Sequence, residues 1–206
     1  MTKIKICGLK RKEDIEYVNE LKPSFIGFVF ADSKRKVDKV TAKELKSLLN
    51  DDIMSVGVFV DKDIDFVVEL VKDKVIDIIQ LHGNEDENYI SSLKEKLDDE
   101  TKIIKAVKVK SSEDILKARE LDIDYLLLDT YAENTAGGSG KEFDKTLIPA
   151  DMDDYFLAGG LNETNLEKTI ATYHPFAVDL SSGVETDGVK DRDKIRRVID
   201  IVKNTK

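Results

Sequence analysis

Apolar runs of four to seven residues alternate with amphipathic stretches along the whole chain, and this alternation is the clearest structural signal in the sequence. Apolar runs of this length, without a strict polar alternation, are typical of strands that are buried on both faces of a parallel sheet. The predicted strands are residues 3–9, 25–30, 54–60, 75–81, 102–107, 124–129, 155–158 and 176–179.

Between these runs, apolar residues recur at helical spacing among charged residues. The predicted helices are residues 11–21, 41–49, 63–72, 85–97, 113–120, 144–148, 163–173 and 191–202. We expect Thr41 to cap the second helix, with Glu44 three residues further on, and Ser111 or Ser112 to cap the fifth. The sixth helix is weak and short, because Pro149 stops it.

The number of strand-helix units distinguishes two parallel architectures. Eight units suit a closed, compact (β/α)₈ (TIM) barrel, in which the last strand pairs with the first. An open doubly wound sheet is the alternative, but five or six units would favour it, and its glycine fingerprint is absent because no glycine occurs between Gly8 and Gly27. The sequence therefore predicts an α/β fold, with a single barrel domain over residues 1–206.

Composition and charge limit the compartments and the classes of partner that suit the protein. The chain has one cysteine, which suits a reducing cytosol because no internal disulfide can form. It has no apolar stretch of about eighteen residues and no signal-peptide pattern, so we expect a soluble, cytoplasmic protein without a membrane span. A formal net charge of -9 argues against a nucleic-acid surface. Either a monomer or a homodimer is compatible with these features.

Polar residues and glycines collect where the predicted strands end. In a barrel these carboxyl ends share one mouth, which is where the chemistry of such folds lies. The candidates are Cys7, Arg35, His82, Asp129 and Asp179. Each also has a structural interpretation: the cysteine as a buried apolar residue, the aspartates as turn caps, the arginine as part of a solvated basic run and the histidine as a turn residue.

Paired glycines after the last two strands indicate an anion site. Gly159 and Gly160 follow the seventh strand, and Ser182 and Gly183 follow the eighth. Their backbone amides can approach an anion closely, and barrels often bind phosphate at this pair of loops. We therefore expect a phosphorylated small molecule as partner. The glycine-rich loop at residues 136–141 departs from the nucleotide P-loop pattern, and is either a substrate-covering loop or a plain connector.

Six separated motifs, in order, resemble phosphoribosylanthranilate isomerase, and the resemblance covers nearly the whole chain. They are residues 5–9, 80–83, 128–129, 137–144, 158–161 and 179–185. The resemblance implies a (β/α)₈ barrel that isomerises N-(5-phosphoribosyl)anthranilate in tryptophan biosynthesis, without a metal or an organic cofactor. Two positions depart from the family pattern: Lys34 replaces a proline and Lys145 replaces a tryptophan, which affects the expected local loop geometry.

The resemblance also implies roles for individual residues. An Amadori rearrangement needs a general acid at the sugar ring oxygen and a base at the neighbouring carbon. The family pattern assigns the acid to Asp129 and the base to Cys7, which must act as a thiolate that backbone amides or a cation would favour. It matches Arg35 to the substrate carboxylate. We expect Asp179 to orient an amine or a sugar hydroxyl, and His82 to line the site.

Two other functions stay open at this point. A metal-dependent sugar-phosphate epimerase would share the last two loops, but it needs two histidines at the mouth, and His174 precedes the eighth strand at the opposite end. A non-catalytic, receiver-like or anion-binding barrel would use Asp129 or Asp61 as an acidic acceptor. Saturable anion binding without turnover would favour this second alternative.

Overall fold

Eight parallel strands close into one barrel in the computed structural model, which describes residues 1–130 and 144–205. Each strand pairs with the next, and β8 pairs with β1 in register, so the predicted closed barrel is confirmed. The strands are β1 Lys3–Cys7, β2 Phe25–Val29, β3 Met54–Phe59, β4 Ile78–Leu81, β5 Lys102–Val109, β6 Tyr125–Thr130, β7 Tyr155–Leu157 and β8 Ala177–Leu180. A short hairpin of β9 Glu185–Thr186 and β10 Val189–Lys190 follows β8.

The helices surround the barrel and connect successive strands. They are α1 Lys12–Leu21, α2 Lys39–Ser47, α3 Ile64–Lys72, α4 Glu87–Lys94, α5 Ser112–Ala118, α6 Leu166–Tyr173 and α7 Arg192–Asn204, with single 3₁₀ turns at Lys145–Leu147 and Ser182–Val184. The predicted helix at residues 144–148 is thus a 3₁₀ turn. No helix within residues 1–130 and 144–205 is long and apolar enough to span a membrane.

Several element starts differ from the sequence prediction, and three of them have clear causes. α2 begins two residues earlier than predicted, because Asp38 caps it by accepting a hydrogen bond from the Thr41 backbone N–H at 2.7 Å. β4 begins at Ile78, because the Val75 N–H still bonds the carbonyl of Leu70 at the end of α3. α4 begins at Glu87 rather than at the predicted Glu85. The carboxylate of Glu85 accepts hydrogen bonds from the backbone N–H groups of Asp61 and Gly83 in the loops before the helix.

Aromatic rings fill the amino end of the barrel. Phe25 and Phe156 lie 5.4 Å apart between ring centroids, and Tyr125 and Phe176 lie 4.9 Å apart. Each such pair contributes about 0.5–1.5 kcal/mol beyond the area it buries. Buried Val56, together with these rings, packs the interior below the mouth. We refer to the four rings as the aromatic floor, and they leave the carboxyl ends of the strands as the open side of the barrel.

Candidate active site

One cavity of about 670 Å³ opens at the carboxyl ends of the strands. This volume lies within the range of roughly 300–1,000 Å³ that small-molecule sites occupy. The fold brings all nine predicted site residues to its walls: Cys7, Arg35, His82, Asp129, Gly159, Gly160, Asp179, Ser182 and Gly183. The predicted substrate-covering loop at residues 136–141 lies outside the described residues.

Cys7 ends β1 beside a buried ion pair. Lys5, two residues earlier, is fully buried, and its Nζ lies 3.0 Å from Oδ2 of Asp179, its partner in the β1–β8 register. Burial raises the pKa of the Cys7 thiol, and although the positive charge of Lys5 lowers it, the pKa stays above its ordinary value. Burial lowers the pKa of Lys5, but Asp179 and Cys7 outweigh that effect and leave it above its ordinary value. Lys5 is therefore the cation that opposes the effect of burial on the Cys7 thiol.

Asp179 has one engaged and one available oxygen. Oδ2 accepts the hydrogen bond from Lys5, whereas the buried Oδ1 has no hydrogen-bond partner in the described part of the chain. An isolated buried acceptor is costly, by about 1–3 kcal/mol. Asp179 lines the cavity together with Cys7, so this oxygen belongs to a residue of the cavity wall although the atom itself is buried.

Asp129 lies near the end of β6 and approaches His82, which directly follows β4. The His82 Nε2 is 3.3 Å from Asp129 Oδ2, and the Thr130 N–H donates to Asp129 Oδ1 at 2.7 Å. On its other side, His82 Nδ1 lies 2.9 Å from Nε2 of Gln80, which is 1% exposed. His82 therefore lines the site as expected, and it also connects Asp129 to a buried amide that the sequence did not single out.

Arg35 projects into the mouth from the loop after β2, where Glu185 holds it. Its Nε and one terminal nitrogen donate to the two oxygens of Glu185 at 2.7 and 2.8 Å, and buried Lys190 donates to the same carboxylate at 2.6 Å. Burial raises the pKa of Glu185, but the bonds from Arg35 and Lys190 prevail and hold it at about 2. Because Glu185 occupies the Nε side of the guanidinium, the remaining N–H groups of its terminal nitrogens are the ones left for a ligand.

The glycine loops after β7 and β8 pack against each other. A Cβ on Gly183 would overlap the carbonyl oxygen of Leu161, so only glycine permits this approach. The carbonyl of Gly160, which has a φ of +68°, accepts hydrogen bonds from the side-chain amides of Asn162 and Asn165, each at 3.0 Å. These contacts explain why α6 begins at Leu166 rather than at the predicted residue 163.

Sequence reasoning missed Lys5, Gln80, Glu185 and Lys190. A signal existed for Lys5, because residues two apart on a strand share a face, so a lysine two positions before an inward-facing cysteine also points inward. The same rule places Gln80 with His82. For Glu185 and Lys190 no local pattern was available, since their pairing depends on the β9–β10 hairpin.

A closed barrel whose mouth carries a cysteine, an aspartate and two glycine loops defines a single-domain (β/α)₈-barrel enzyme with acid–base groups at the strand ends. A family model for N-(5'phosphoribosyl)anthranilate (PRA) isomerase matches residues 4–201. The chain therefore belongs to the N-(5'-phosphoribosyl)anthranilate isomerase family, as the sequence resemblance implied.

Individual relatives agree with this assignment. The chain is 50% identical to N-(5'-phosphoribosyl)anthranilate isomerase of Endomicrobium trichonymphae over 204 residues, covering 99% of this chain and 100% of the relative. The crystal structure of phosphoribosyl anthranilate isomerase from Thermotoga maritima superposes with a TM-score of 0.87 at 36% identity, covering 98% and 99% of the two chains. A second structure, of the isomerase in complex with reduced 1-(o-carboxyphenylamino)-1-deoxyribulose 5-phosphate, has a TM-score of 0.79 at 31% identity, with 98% and 99% coverage.

Proposed function

We propose that the protein catalyses the Amadori rearrangement of N-(5'-phosphoribosyl)anthranilate to 1-(2-carboxyphenylamino)-1-deoxyribulose 5-phosphate, a step of tryptophan biosynthesis. Family membership supports the activity. The observation that carries the assignment of residues is the placement of Cys7 and Asp129 on strands β1 and β6 of one cavity, with the glycine loops beside them. The complex of a related isomerase with a reduced form of this product supports the substrate class.

The cavity offers a separate position for each part of the substrate. We place the phosphate at the backbone amides near Gly160 and Gly183, within about 2.7–3.2 Å, because glycine there permits close approach. The anthranilate carboxylate meets the end of the Arg35 guanidinium that Glu185 leaves accessible. The unpartnered Oδ1 of Asp179 accepts from the bridging amine or a sugar hydroxyl.

The reaction then proceeds in two proton transfers. Asp129 gives a proton to the ring oxygen, the bond from that oxygen to C1 breaks, and the nitrogen lone pair forms a C1–N double bond. The Cys7 thiolate removes the proton from C2, and the electron pair forms a C1–C2 double bond while the nitrogen regains its lone pair. Tautomerisation of this enol gives the ketose. Lys5 favours the step because its charge stabilises the thiolate.

The proposal extends to the cofactors, the compartment and the oligomeric state of the protein. The substrate is a small phosphorylated molecule, and no step in the scheme calls on a metal, an organic cofactor or a nucleic acid. We assign the enzyme to the cytoplasm, because its one cysteine is buried as a free thiol at the site. Whether the chain acts as a monomer or a homodimer stays a prediction, which sedimentation equilibrium would test.

The decisive experiment is a turnover assay of the purified protein with freshly prepared N-(5'-phosphoribosyl)anthranilate. We expect stoichiometric conversion to the carboxyphenylamino-deoxyribulose phosphate, and loss of conversion in Cys7→Ser and Asp129→Asn. Both variants should still bind the reduced product analogue, because shape is kept. Saturable binding of phosphate or of the analogue to the wild type without any turnover would instead support a non-catalytic barrel.

A further inference from the structure

The carboxylate of Glu185 binds two cations at once. Arg35 donates to both of its oxygens, and the Nζ of Lys190 lies 2.6 Å from its Oε1. The side chains of Glu185 and Lys190 are 9% and 1% exposed, so water and salt screen their charges little. We refer to Arg35, Glu185 and Lys190 as the charge cluster. Its two positive charges and one negative charge leave a net charge of +1.

The contacts of Lys190 are those of an ammonium group. Besides Glu185, its Nζ contacts the carbonyl oxygen of Ser181 at 3.0 Å and the hydroxyl oxygen of Ser181 at 3.4 Å. The Ser181 hydroxyl donates to the carbonyl of Cys7 at 3.0 Å, so its oxygen is an acceptor for Lys190. Three acceptors match the three N–H groups of an ammonium. Burial lowers the pKa of Lys190 below its ordinary value, although the hydrogen bond to Glu185 opposes this effect.

Arg35 is the member of the charge cluster that a ligand can contact. Its side chain is 21% exposed, and it lines the cavity. Among the described residues, the cavity lining includes neither Glu185 nor Lys190. The N–H groups of Lys190 are engaged within the protein, whereas Arg35 keeps N–H groups on its terminal nitrogens that Glu185 does not bind.

Arg35 and Glu185 without Lys190 would attract an anion weakly. A bidentate pair fixes the orientation of the guanidinium, but its two opposite charges nearly cancel at the position of a third group. Lys190 returns the missing positive charge from behind Glu185, where it blocks no N–H group of Arg35. The other buried pair on this side of the mouth, Lys5 with Asp179, holds one charge of each sign and adds no excess.

We propose that Lys190 is a positioning residue that makes the pair of Arg35 and Glu185 selective for a carboxylated ligand. Lys190 neutralises Glu185, so that Arg35 is held in one orientation and still presents a positive charge to the ligand. This inference rests on the proposed function, because it takes the ligand group at Arg35 to be the anthranilate carboxylate. Lys190 acts through Glu185 and Arg35 and touches no part of the substrate.

The test compares two ligands that differ by one carboxylate. The probes are reduced 1-(o-carboxyphenylamino)-1-deoxyribulose 5-phosphate and the same compound with a phenylamino group in place of the carboxyphenylamino group. Calorimetry gives the ratio of the two affinities, in which effects on the shared sugar and phosphate cancel. In Lys190→Met we expect this ratio to fall roughly 10- to 20-fold, which is the effect of one unit charge about 10 Å from the carboxylate at an effective dielectric constant of about 20.

A second substitution restores the charge balance. Glu185→Gln combined with Lys190→Met removes one charge of each sign and returns the net charge to +1, so the ratio should recover to within about threefold of the wild type. Structural damage alone would weaken both ligands alike, and a second buried substitution would add to it.

Lys194→Met is the matched control. The Nζ of Lys194 donates to the backbone carbonyl of Glu185 at 2.7 Å, and not to its carboxylate. Lys194 is only half-buried, so solvent screens its charge more than that of Lys190. We therefore expect the affinity ratio of Lys194→Met to stay within about threefold of the wild type.

The outcomes separate this inference from the proposed function. If the wild type converts N-(5'-phosphoribosyl)anthranilate but the ratio is unchanged in Lys190→Met, or if the double variant does not restore it, only the role of Lys190 is refuted. If the wild type shows no turnover but the ratio falls and recovers as expected, the proposed function fails and the role of the charge cluster in carboxylate binding is supported. Should Lys190→Met fail to fold, Lys190→Gln, which is also neutral but keeps a donor for Glu185, takes its place in each comparison.

Discussion

Replacing Lys5 by methionine is the most demanding test of the site, because it removes one charge and keeps a side chain of similar length. Lys5 and Asp179 approach to 3.0 Å, and their side chains are 0% and 9% exposed. At that distance and an effective dielectric constant of about 20, the pair attracts by about 5.5 kcal/mol. Breaking a buried pair on one side costs about 3–5 kcal/mol, so we expect Lys5→Met to lose that much unfolding free energy.

The same substitution should alter Cys7. A nearby opposite charge shifts a pKa by about 1–3 units. Because the charge of Lys5 lowers the pKa of Cys7, removing that charge moves the Cys7 pKa further upward. The thiolate forms as pH rises through that pKa, so at neutral pH its fraction should fall about 10- to 10³-fold. Iodoacetamide alkylation and kcat should both fall accordingly, and both should recover as pH is raised.

Urea denaturation, alkylation rates and kcat against pH are the measurements. Lys3→Met is the matched control, because Lys3 is exposed on the same strand and its ammonium lies 4.7 Å from the Phe176 ring centroid. The control should lose no more than about 1 kcal/mol and leave Cys7 unchanged. Two results would refute the reasoning: an alkylation profile of Lys5→Met that matches the wild type, or strict additivity of the Lys5→Met and Asp179→Asn effects on unfolding.

Further predictions concern the reacting groups, the arginine clamp and the anion loop. Cys7→Ser and Asp129→Asn should each reduce kcat by about 10²–10⁴-fold while the affinity for the reduced product analogue is nearly kept; a near-wild-type kcat in Cys7→Ser would remove the thiol from the mechanism. Arg35→Ala should mainly raise KM, since a carboxylate contact serves substrate and transition state alike, and a change confined to kcat would contradict this. The Glu185 pKa is lowered from 4.5 to about 2, so its contribution to stability is present above about pH 4.5 and is lost as pH falls through 2; acid titration of unfolding should be flatter in Glu185→Gln, and identical slopes would refute the clamp. Gly183→Ala should weaken phosphate binding by about 10²-fold or more, because the new Cβ displaces the Leu161 backbone, and calorimetry with inorganic phosphate showing unchanged affinity would move the phosphate elsewhere.

The sequence pattern was sufficient for the barrel but not for element starts. Buried strands are specified by local apolar content, which is visible in the sequence as eight apolar runs. Helix α2 was placed two residues late, because Asp38 and Thr41 are both good capping residues and only the path of the chain selects the aspartate. The sequence predicts a strand at residues 75–77 because Val75 and Ile76 are apolar, but in the structure both are buried in the connection between α3 and β4.

The site was predictable where its residues follow strands, and unpredictable where they pair across long distances. Cys7, Asp129 and Asp179 end strands, so barrel closure alone brings them together. The pairing of Arg35 with Glu185 joins residues 150 apart in sequence, and no local pattern of residue types predicts it. Similarly, the amide oxygen of buried Gln80 has no hydrogen-bond partner among the described residues, and no pattern of residue types reports this.

The aromatic floor closes one end of the barrel and leaves the cavity open at the other. Phe25, Phe156, Tyr125 and Phe176 occupy the amino end, so a ligand in the cavity enters and leaves by way of the strand ends. On the proposed function, substrate and product then use the same passage and the same phosphate position, and occupancy by one excludes the other. We therefore expect inhibition by the ketose phosphate to be competitive with the substrate.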